Sequence, residues 1–255
     1  APGCGDRFAL DVGGPMNPQD SGGRREQLRR RLIEVQREID HAAINAQRDP
    51  ADVTLIAVTK TWPDADIRLL ADLGLTDFAE NKAQEFSTKA ALCADLPLTW
   101  HFVGQLQRNK VKKVAQFADF VHSVDRPELV SALNTQVGSA GRSPLQCLVQ
   151  VNLDPTDEPQ RAGVGPEHAI DLAEEIVDAQ HLDLRGVMGI APHGGDARAA
   201  FEALAGVSST IADRYASATI ISAGMSGDFA AAIAAGATHV RLGSALLGER
   251  AGFVR

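Results

Sequence analysis

Residues 54–81 read TLIAVTKTWPDADIRLLADLGLTDFAEN and contain one complete strand–helix–strand unit. The apolar run Thr54–Thr59 and the shorter run Asp77–Glu80 are typical of strands, and residues 64–73 between them have apolar side chains at helical spacing. A strand that is apolar along its whole length is typical of a parallel sheet covered on both faces. The stretch therefore predicts a parallel βαβ unit.

The same alternation continues along the chain, with eight apolar runs separated by seven helical stretches and preceded by one more, residues 24–46. This number matches a (β/α)8 barrel, and the alternative is an open doubly wound sheet. We favour the single barrel because no linker interrupts residues 50–250. The other predicted strands are Thr99–Val103, Phe120–Val124, Gln146–Asn152, Leu184–Ile190, Thr219–Ala223 and His239–Leu242, and the other predicted helices are 82–95, 107–117, 127–138, 166–180, 196–215 and 227–235.

The composition excludes several classes of protein. The 255 residues are 44% hydrophobic and 23% charged, as in ordinary globular domains, and the net charge of −8 argues against a dedicated nucleic-acid binder. The three widely spaced cysteines argue against a disulfide framework or a zinc site, and we expect Cys93 and Cys147 to be buried. With neither a membrane-length apolar run nor a signal peptide pattern, we expect a cytoplasmic protein.

The two ends of the chain differ in character from its middle. Residues 1–23 are rich in Gly, Pro and polar side chains and predict a flexible leader. Residues 24–255 are predicted to form one barrel domain with an extra helix at its N-terminal end. Because the chain ends shortly after the eighth strand, we expect no second domain.

The functional site of such a barrel lies where its strands end, at the C-terminal edge of the sheet. Lys60 follows the first apolar run, and its amine could form an imine with a carbonyl group at the barrel mouth. The alternative is a lysine that only extends to water from a strand end. The residues themselves leave both interpretations open.

Two small-residue loops follow the seventh and eighth strands, where such barrels often bind phosphate. They are Gly224-Met225-Ser226 and Gly243-Ser244, whose N–H groups and hydroxyls suit an anion. The alternative for the first loop is ordinary helix capping by Ser226 or Asp228.

Charged and titratable residues inside the apolar runs need partners or a role. Arg241 lies within the eighth run and either forms a structural ion pair or faces a ligand in the mouth. His101 and His122 lie within strands and are interpreted as hydrogen-bonded core histidines. The basic residues of 108–113 form either an anion site or a solvated helix face. The histidine spacing predicts no metal site and no catalytic triad.

Taken together, these segments resemble the YggS/PROSC family, the pyridoxal phosphate homeostasis proteins, over about residues 24–250. The order and spacing of the third-strand and last-strand segments are highly specific. The segments that carry the resemblance are AVTKTWP (57–63), AENKAQE (79–85), WHFVGQLQRNK (100–110), HSVD (122–125), VQVNLD (149–154), GVMGIAP (186–192) and SAGMSGDFAAAIAAGATHVRLGSALLGER (222–250).

The resemblance implies a barrel like the N-terminal domain of alanine racemase, with pyridoxal 5′-phosphate (PLP) bound as an imine on Lys60. It implies that the two small-residue loops hold the phosphate and that Arg241 faces the pyridine nitrogen. The sequence departs from the family pattern at Ala79, at Ala223 and at Arg161, where the family often has a lysine. The implied cofactor-binding residues are Lys60, Asn81, His101, Met188, Ser226, Arg241, Gly243 and Ser244, with Gly104 close by.

The resemblance also implies a non-enzymatic role in PLP (vitamin B6) homeostasis, in which the protein stores or delivers the cofactor. A PLP-dependent amino-acid racemase is the alternative, and a barrel that binds another phosphate ligand without modifying Lys60 is a third possibility. A two-base racemase needs an acid or base on each face of the imine. The one tyrosine, Tyr215, lies far from any strand end, which favours the carrier. We expect a monomer that passes PLP to PLP-dependent apoenzymes and binds neither nucleic acid nor membranes.

Overall fold

The computed structural model describes residues 22–154 and 162–248, in which eight parallel strands close into a barrel in chain order. Strand β8 pairs with β1, so the predicted barrel, and not the open sheet, is the fold. The strands are β1 Thr54–Val58, β2 Asp77–Glu80, β3 Thr99–Phe102, β4 Phe120–Val124, β5 Leu145–Val151, β6 Leu182–Gly189, β7 Ile220–Ser222 and β8 His239–Leu242. The helices are α1 Gly22–Asn45, α2 Asp64–Asp72, α3 Ala83–Leu92, α4 Val111–Ala115, α5 Pro127–Ala140, α6 Ala169–Asp178, α7 Ala197–Arg214, α8 Phe229–Ala234 and α9 Ser244–Leu247.

The observed elements differ from the predicted ones mainly at their ends. Helix α1 begins at Gly22, two residues before the predicted start, and the rest of the predicted leader lies outside the described residues. The helix predicted over 107–117 consists of a 3₁₀ turn at Arg108–Lys110 followed by the short α4. Likewise a 3₁₀ turn, Pro166–His168, forms the start of the helix predicted over 166–180 and precedes α6. Such turns at helix starts leave no mark in the apolar pattern.

The main core lies between the barrel and the surrounding helices. Phe86 of α3 packs edge-on against Trp100 and Phe102 of β3, with ring centroids 5.7 Å apart in each pair. Burial of each large apolar side chain contributes about 1.5–3 kcal/mol to folding. Cys93 and Cys147 are buried in this core, as predicted.

Helix α1 covers the side of the barrel where the chain closes on itself. Its buried side chains recur every three or four residues and therefore form one apolar face. At its start Arg24 forms a two-pronged ion pair with Asp66, at 3.1 and 2.7 Å. Beyond its end Arg48 donates to the carbonyl oxygens of Ile233 and Ala237, at 2.8 and 2.7 Å. These contacts tie the start of α1 to α2 and the segment after α1 to the end of α8 and the loop before β8.

The interior of the barrel is polar in part, whereas such interiors are usually filled by branched apolar side chains. His101 of β3, His122 of β4, Ser222 of β7 and Arg241 of β8 are all buried. Hydrogen bonds join them to one another, which confirms the two histidines as hydrogen-bonded core residues. Of these residues Arg241 bonds to the carbonyl oxygen of Gly189, the last residue of β6, so the end of the barrel where the strands finish is the candidate site.

Candidate functional site

Lys60 lies at the mouth of the barrel, beside the loop that follows β8. Strand β1 ends at Val58, Thr59 is fully buried, and Lys60 is exposed. Because β8 is the neighbour of β1, Gly243 lies next to this strand end, and a Cβ on it would be 3.3 Å from the carbonyl oxygen of Val58. The predicted amine and one of the two predicted anion loops therefore share one part of the rim.

The loops after β7 and β8 meet at the hydroxyl of Ser226. Ser244 Oγ donates to Ser226 Oγ at 3.2 Å, and the Ala245 amide donates to the same oxygen at 3.3 Å. Gly224 has φ +91°, and a Cβ on it would lie 2.8 Å from Phe229 Cα, so this turn requires glycine. Sequence reasoning thus placed the two loops correctly as neighbours.

The capping interpretation of the first loop is partly wrong. Asp228 occupies the N-cap position of α8, but neither it nor Ser226 makes a side-chain capping bond to that helix. The Asp228 carboxylate instead accepts from the Met225 amide at 2.6 Å. The Ser226 hydroxyl therefore takes no part in capping α8 and instead accepts bonds from the loop after β8.

Arg241 is a buried cation whose hydrogen bonds go to neutral oxygens. Its guanidinium donates to Ser222 Oγ at 2.8 Å and to the carbonyl oxygen of Gly189 at 3.1 Å. Burial lowers the pKa of Arg241 to about 10, partly opposed by the charge of Asp228, so the group is cationic at neutral pH. Among the described residues no carboxylate pairs with it, so the structural ion pair offered as one interpretation is absent. A buried cation without a counter-ion is costly, which favours a ligand-facing role.

A chain of hydrogen bonds runs through the barrel interior from Arg241 to Asp77. We call Arg241, Ser222, His122, His101 and Asp77 the histidine chain. The bonds beyond Ser222 measure 2.9 Å to His122 Nδ1, 2.9 Å from His122 Nε2 to His101 Nδ1, and 3.0 Å from His101 Nε2 to Asp77 Oδ1. Asp77 begins β2, at the edge of the sheet opposite the mouth. The chain therefore connects the mouth with the far end of the barrel.

The two ends of the histidine chain determine the direction of its hydrogen bonds. A guanidinium can only donate and a carboxylate can only accept. With both histidines neutral, Ser222 donates to His122, His122 Nε2–H donates to His101, and His101 Nε2–H donates to Asp77. Burial, reinforced by the charges of His101 and Arg241, holds the pKa of His122 well below its ordinary value. Burial acts to raise the pKa of Asp77, but bonds from His101 and Thr76 outweigh it, and the pKa is lowered.

The remaining predicted residues lie around this layer. Asn81 follows β2, and its Oδ1 is buried without a hydrogen-bond partner. Gly104 packs so tightly on it that a Cβ would lie 2.0 Å from the Asn81 carbonyl oxygen. Met188 is buried in β6, in register with Ser222. His101 has both ring nitrogens bonded to protein, so it reaches the mouth only through the histidine chain. Arg161 lies outside the described residues.

Sequence reasoning missed a buried charged cluster beneath Lys60. Lys89 of α3 is 6% exposed and bonds to Glu80, Glu85 and the backbone of Thr59. In the sequence, Glu85 and Lys89 stand four residues apart, a spacing that is usual for a pair on a solvated helix face. The only signal was that Glu80 ends an apolar strand.

These features together suit a small ligand with three different groups. An exposed amine can react with a carbonyl, paired loop hydroxyls can hold an anion, and a buried guanidinium can face an electron-rich ring atom. Among residues 22–154 and 162–248, no group of three or more His, Cys, Asp or Glu side chains could hold a metal ion. Within the same residues, no helix combines the length and apolar character needed to cross a bilayer.

The family model described as alanine racemase, N-terminal domain, matches residues 39–251. A pyridoxal phosphate homeostasis protein from Pseudomonas aeruginosa is 42% identical over 219 residues, which cover 86% of this chain and 94% of that protein. The protein of the same name from Escherichia coli is 36% identical over 225 residues, covering 86% and 95%.

Solved structures of other proteins are similar to this chain as well. PipY from Synechococcus elongatus, solved with PLP bound, superposes with a TM-score of 0.75 at 35% identity and covers 87% of this chain and 100% of its own. Alanine racemase from Corynebacterium glutamicum superposes with a TM-score of 0.62 at 13% identity, covering 90% and 63%, which shows a shared fold alone. The chain therefore belongs to the pyridoxal phosphate homeostasis proteins, a family built on the N-terminal barrel of alanine racemase.

Proposed function

We propose that this protein binds PLP as an imine on Lys60 and takes part in PLP homeostasis as a carrier, without catalytic turnover. The observation that carries the proposal is the exposed Lys60 amine on the same rim as the Gly243-Ser244 loop. Imine formation joins the Lys60 nitrogen to the aldehyde carbon. The aldehyde oxygen leaves as water with two protons from the amine.

The residues at the mouth fit the other two parts of PLP. Ser226, Gly243 and Ser244 offer hydroxyls and backbone where the last two loops meet, which suits a phosphate. Arg241 supplies a buried cation that suits the pyridine nitrogen. The unpartnered Oδ1 of Asn81 is a buried acceptor that a ligand donor would satisfy.

Two features support a carrier over a racemase. Arg241 is a cation, and beside the pyridine nitrogen it would disfavour ring protonation, which weakens the ring as an electron sink. Tyr215 follows the C-terminal end of α7. In a (β/α)8 barrel that end of a helix leads to the beginning of the next strand, away from the mouth. Tyr215 is therefore badly placed to move a proton at the Lys60 imine.

The proposal extends to the partners and the location of the protein. PLP-dependent apoenzymes would receive the cofactor directly, since an imine can pass from one lysine amine to another without free aldehyde. We propose that this happens in the cytoplasm and that the carrier is a monomer.

The test of the proposal is the visible spectrum of the purified protein before and after addition of PLP. The protein should turn yellow, and borohydride reduction followed by peptide mass mapping should place the adduct on Lys60. Lys60→Ala should abolish the band, whereas Lys110→Ala, which removes an exposed lysine of the 3₁₀ turn, should keep it. A colourless protein that stays unmodified with excess PLP would refute PLP binding through Lys60.

The absence of turnover needs a separate measurement. PLP-loaded protein incubated with L-alanine should yield no more D-alanine than the Lys60→Ala variant purified in the same way. Steady D-alanine production that is lost in Lys60→Ala would overturn the carrier in favour of the racemase.

A further inference from the structure

Lys89 and Glu85 bind the backbone on the two sides of Lys60, and Glu80 bonds to Lys89. Lys89 Nζ donates to the Thr59 carbonyl oxygen at 2.7 Å, to Glu80 Oε1 at 2.6 Å and to Glu85 Oε1 at 2.7 Å. Glu85 Oε1 also accepts from the Thr61 amide at 2.6 Å. We call Lys89, Glu80 and Glu85 the Lys89 cluster. It binds the carbonyl directly before Lys60 and the N–H directly after it.

The Lys89 cluster is poorly explained as a device for stability. Glu80 is fully buried, and Thr59 Oγ1 donates to its Oε1 at 2.7 Å while its Oε2 is buried without a partner. Burial raises the pKa of Glu80 against the lowering effect of Lys89 and Thr59. Well-packed apolar residues commonly match or exceed the stability of such buried ion pairs. What apolar residues could not do is bind the backbone of the Lys60 turn.

The turn itself has a strained backbone. Thr61 has φ +67°, in the left-handed region that a β-branched residue rarely adopts. The Trp62 amide donates back to the Thr59 carbonyl oxygen at 3.0 Å and closes the turn around Lys60. Strained residues persist where surrounding contacts over-determine them, and they concentrate at functional sites. Here the contacts to Thr59 and Thr61 come from the Lys89 cluster.

Lys89 is itself unsuited to react with an aldehyde. Its three ammonium protons are all directed at acceptors, and the side chain is almost entirely buried. Lys60 makes no such set of bonds within residues 22–154 and 162–248, and it is exposed at the rim. Lys60 is therefore the lysine suited to react with the aldehyde, and Lys89 is the lysine suited to bind the backbone of the turn.

We propose that Lys89 is a positioning residue, which through Glu80 and Glu85 fixes the turn that presents the Lys60 amine to the aldehyde. This inference rests on the proposed function of Lys60. It concerns the rate at which the C=N bond forms and water leaves, since the bonds of the Lys89 cluster go to the Lys60 turn and not to the residues proposed for the phosphate and the ring.

The test compares two ligands in wild type and variants. PLP reports imine formation by stopped-flow absorbance, and pyridoxine 5′-phosphate, which lacks the aldehyde, reports binding of the ring and phosphate. Lys89→Met should slow imine formation by about 10- to 100-fold, with affinity for pyridoxine 5′-phosphate within about twofold of wild type. Lys89→Arg should recover part of the rate. The same substitution at an exposed site, Lys112→Met on α4, should change neither reading.

A second variant covers the case in which Lys89→Met does not fold. Glu85→Ala lies on a half-buried position of α3 and releases the Thr61 amide. It should slow imine formation in the same way and speed hydrogen exchange at Thr61. A folded variant that forms the imine at the wild-type rate would overturn the positioning role, as would equal loss of both ligands. A wild type that forms no imine would instead refute the proposed function.

Discussion

Ser226 is the residue at which the loops after β7 and β8 meet, so its hydroxyl is the sharpest probe of the proposed phosphate contact. We expect Ser226→Ala to weaken PLP retention by about 10- to 100-fold, because a hydrogen bond to a charged group contributes roughly 1.5–3 kcal/mol. The measurement is a titration followed by absorbance, with dialysis to measure retention.

The matched control is Ser87→Ala on α3, whose hydroxyl donates to the helix backbone at the Gln84 carbonyl oxygen. It should leave retention unchanged. If Ser226→Ala retains PLP as well as wild type does, Ser226 has no phosphate role, and the hydroxyl of Ser244 becomes the residue to test.

His239, at the start of β8, should make stability depend on pH. Burial, with the charge of His101 as the next cause, lowers the pKa of His239 to about 4 in the folded protein. In the unfolded chain the pKa is about 6.5. Between these values the unfolded state binds more protons, so the stability that His239 retains above pH 6.5 is lost as pH falls towards 4.

The expected size of this loss is about 2 to 3 kcal/mol at pH 4.5 relative to neutral pH. His239→Gln should remove that part of the pH dependence, as measured by urea unfolding at several pH values. His168→Gln, which replaces an exposed histidine, should keep the wild-type pH dependence. Equal pH dependence in wild type and His239→Gln would show that the histidine is not held neutral in the fold.

The histidine chain belongs to the scale of elements, because β2, β3, β4, β7 and β8 each supply one of its members. For neutral imidazole rings, the partners at the two ends of the chain place the proton of His122 on Nε2 and that of His101 on Nε2. Two-bond ¹H–¹⁵N NMR spectra distinguish these tautomers directly. A proton on His122 Nδ1 would contradict the predicted direction, because the hydroxyl proton of Ser222 would then have no acceptor in the chain.

The strands were predictable because each is a continuous apolar run between polar residues. Strands β2, β4 and β8 have the predicted limits, and β1 and β3 are each one residue shorter at the C-terminal end than predicted. Rim residues follow from strand ends, so Lys60, Asn81, Gly243 and Ser244 could be assigned to one edge without coordinates. Periodicity and topology carry that much information by themselves.

The pairing of charged and polar side chains across elements was not predictable. His122 and Ser222 are 100 residues apart and meet only because the barrel places both side chains inside. Lys89 has the spacing of an ordinary surface lysine, yet its side chain turns under the end of β1. Such contacts depend on register and on the angle at which a helix packs, neither of which the apolar pattern encodes.

At the scale of the whole molecule, the two sides of the sheet differ in polarity. The shell between strands and helices is apolar, whereas the barrel interior is polar in part. Closure is what makes this possible, since residues from the first and last strands become neighbours only when β8 pairs with β1. The proposed PLP site therefore depends on the complete barrel.

Closure also bears on association between copies of the protein. A closed sheet has no unpaired edge strand through which two copies could join. The large exposed apolar residues of the described part, Ile44, Leu92, Val177, Ile190 and Met225, come from different elements. A stable interface buries at least about 1,000 Å², and the net charge of −8 opposes close approach of two copies.

We therefore expect a monomer of 27.0 kDa by size-exclusion chromatography with light scattering, both without and with PLP. Raising the salt concentration screens the repulsion between the copies. The mass should still be unchanged, because the exposed apolar residues are scattered and form no interface. A dimer at low salt would show that an apolar surface outweighs the charge, and a dimer only at high salt would show that charge alone keeps the copies apart. Either result would contradict the monomer and would direct attention to the exposed side chains on α1 and α6.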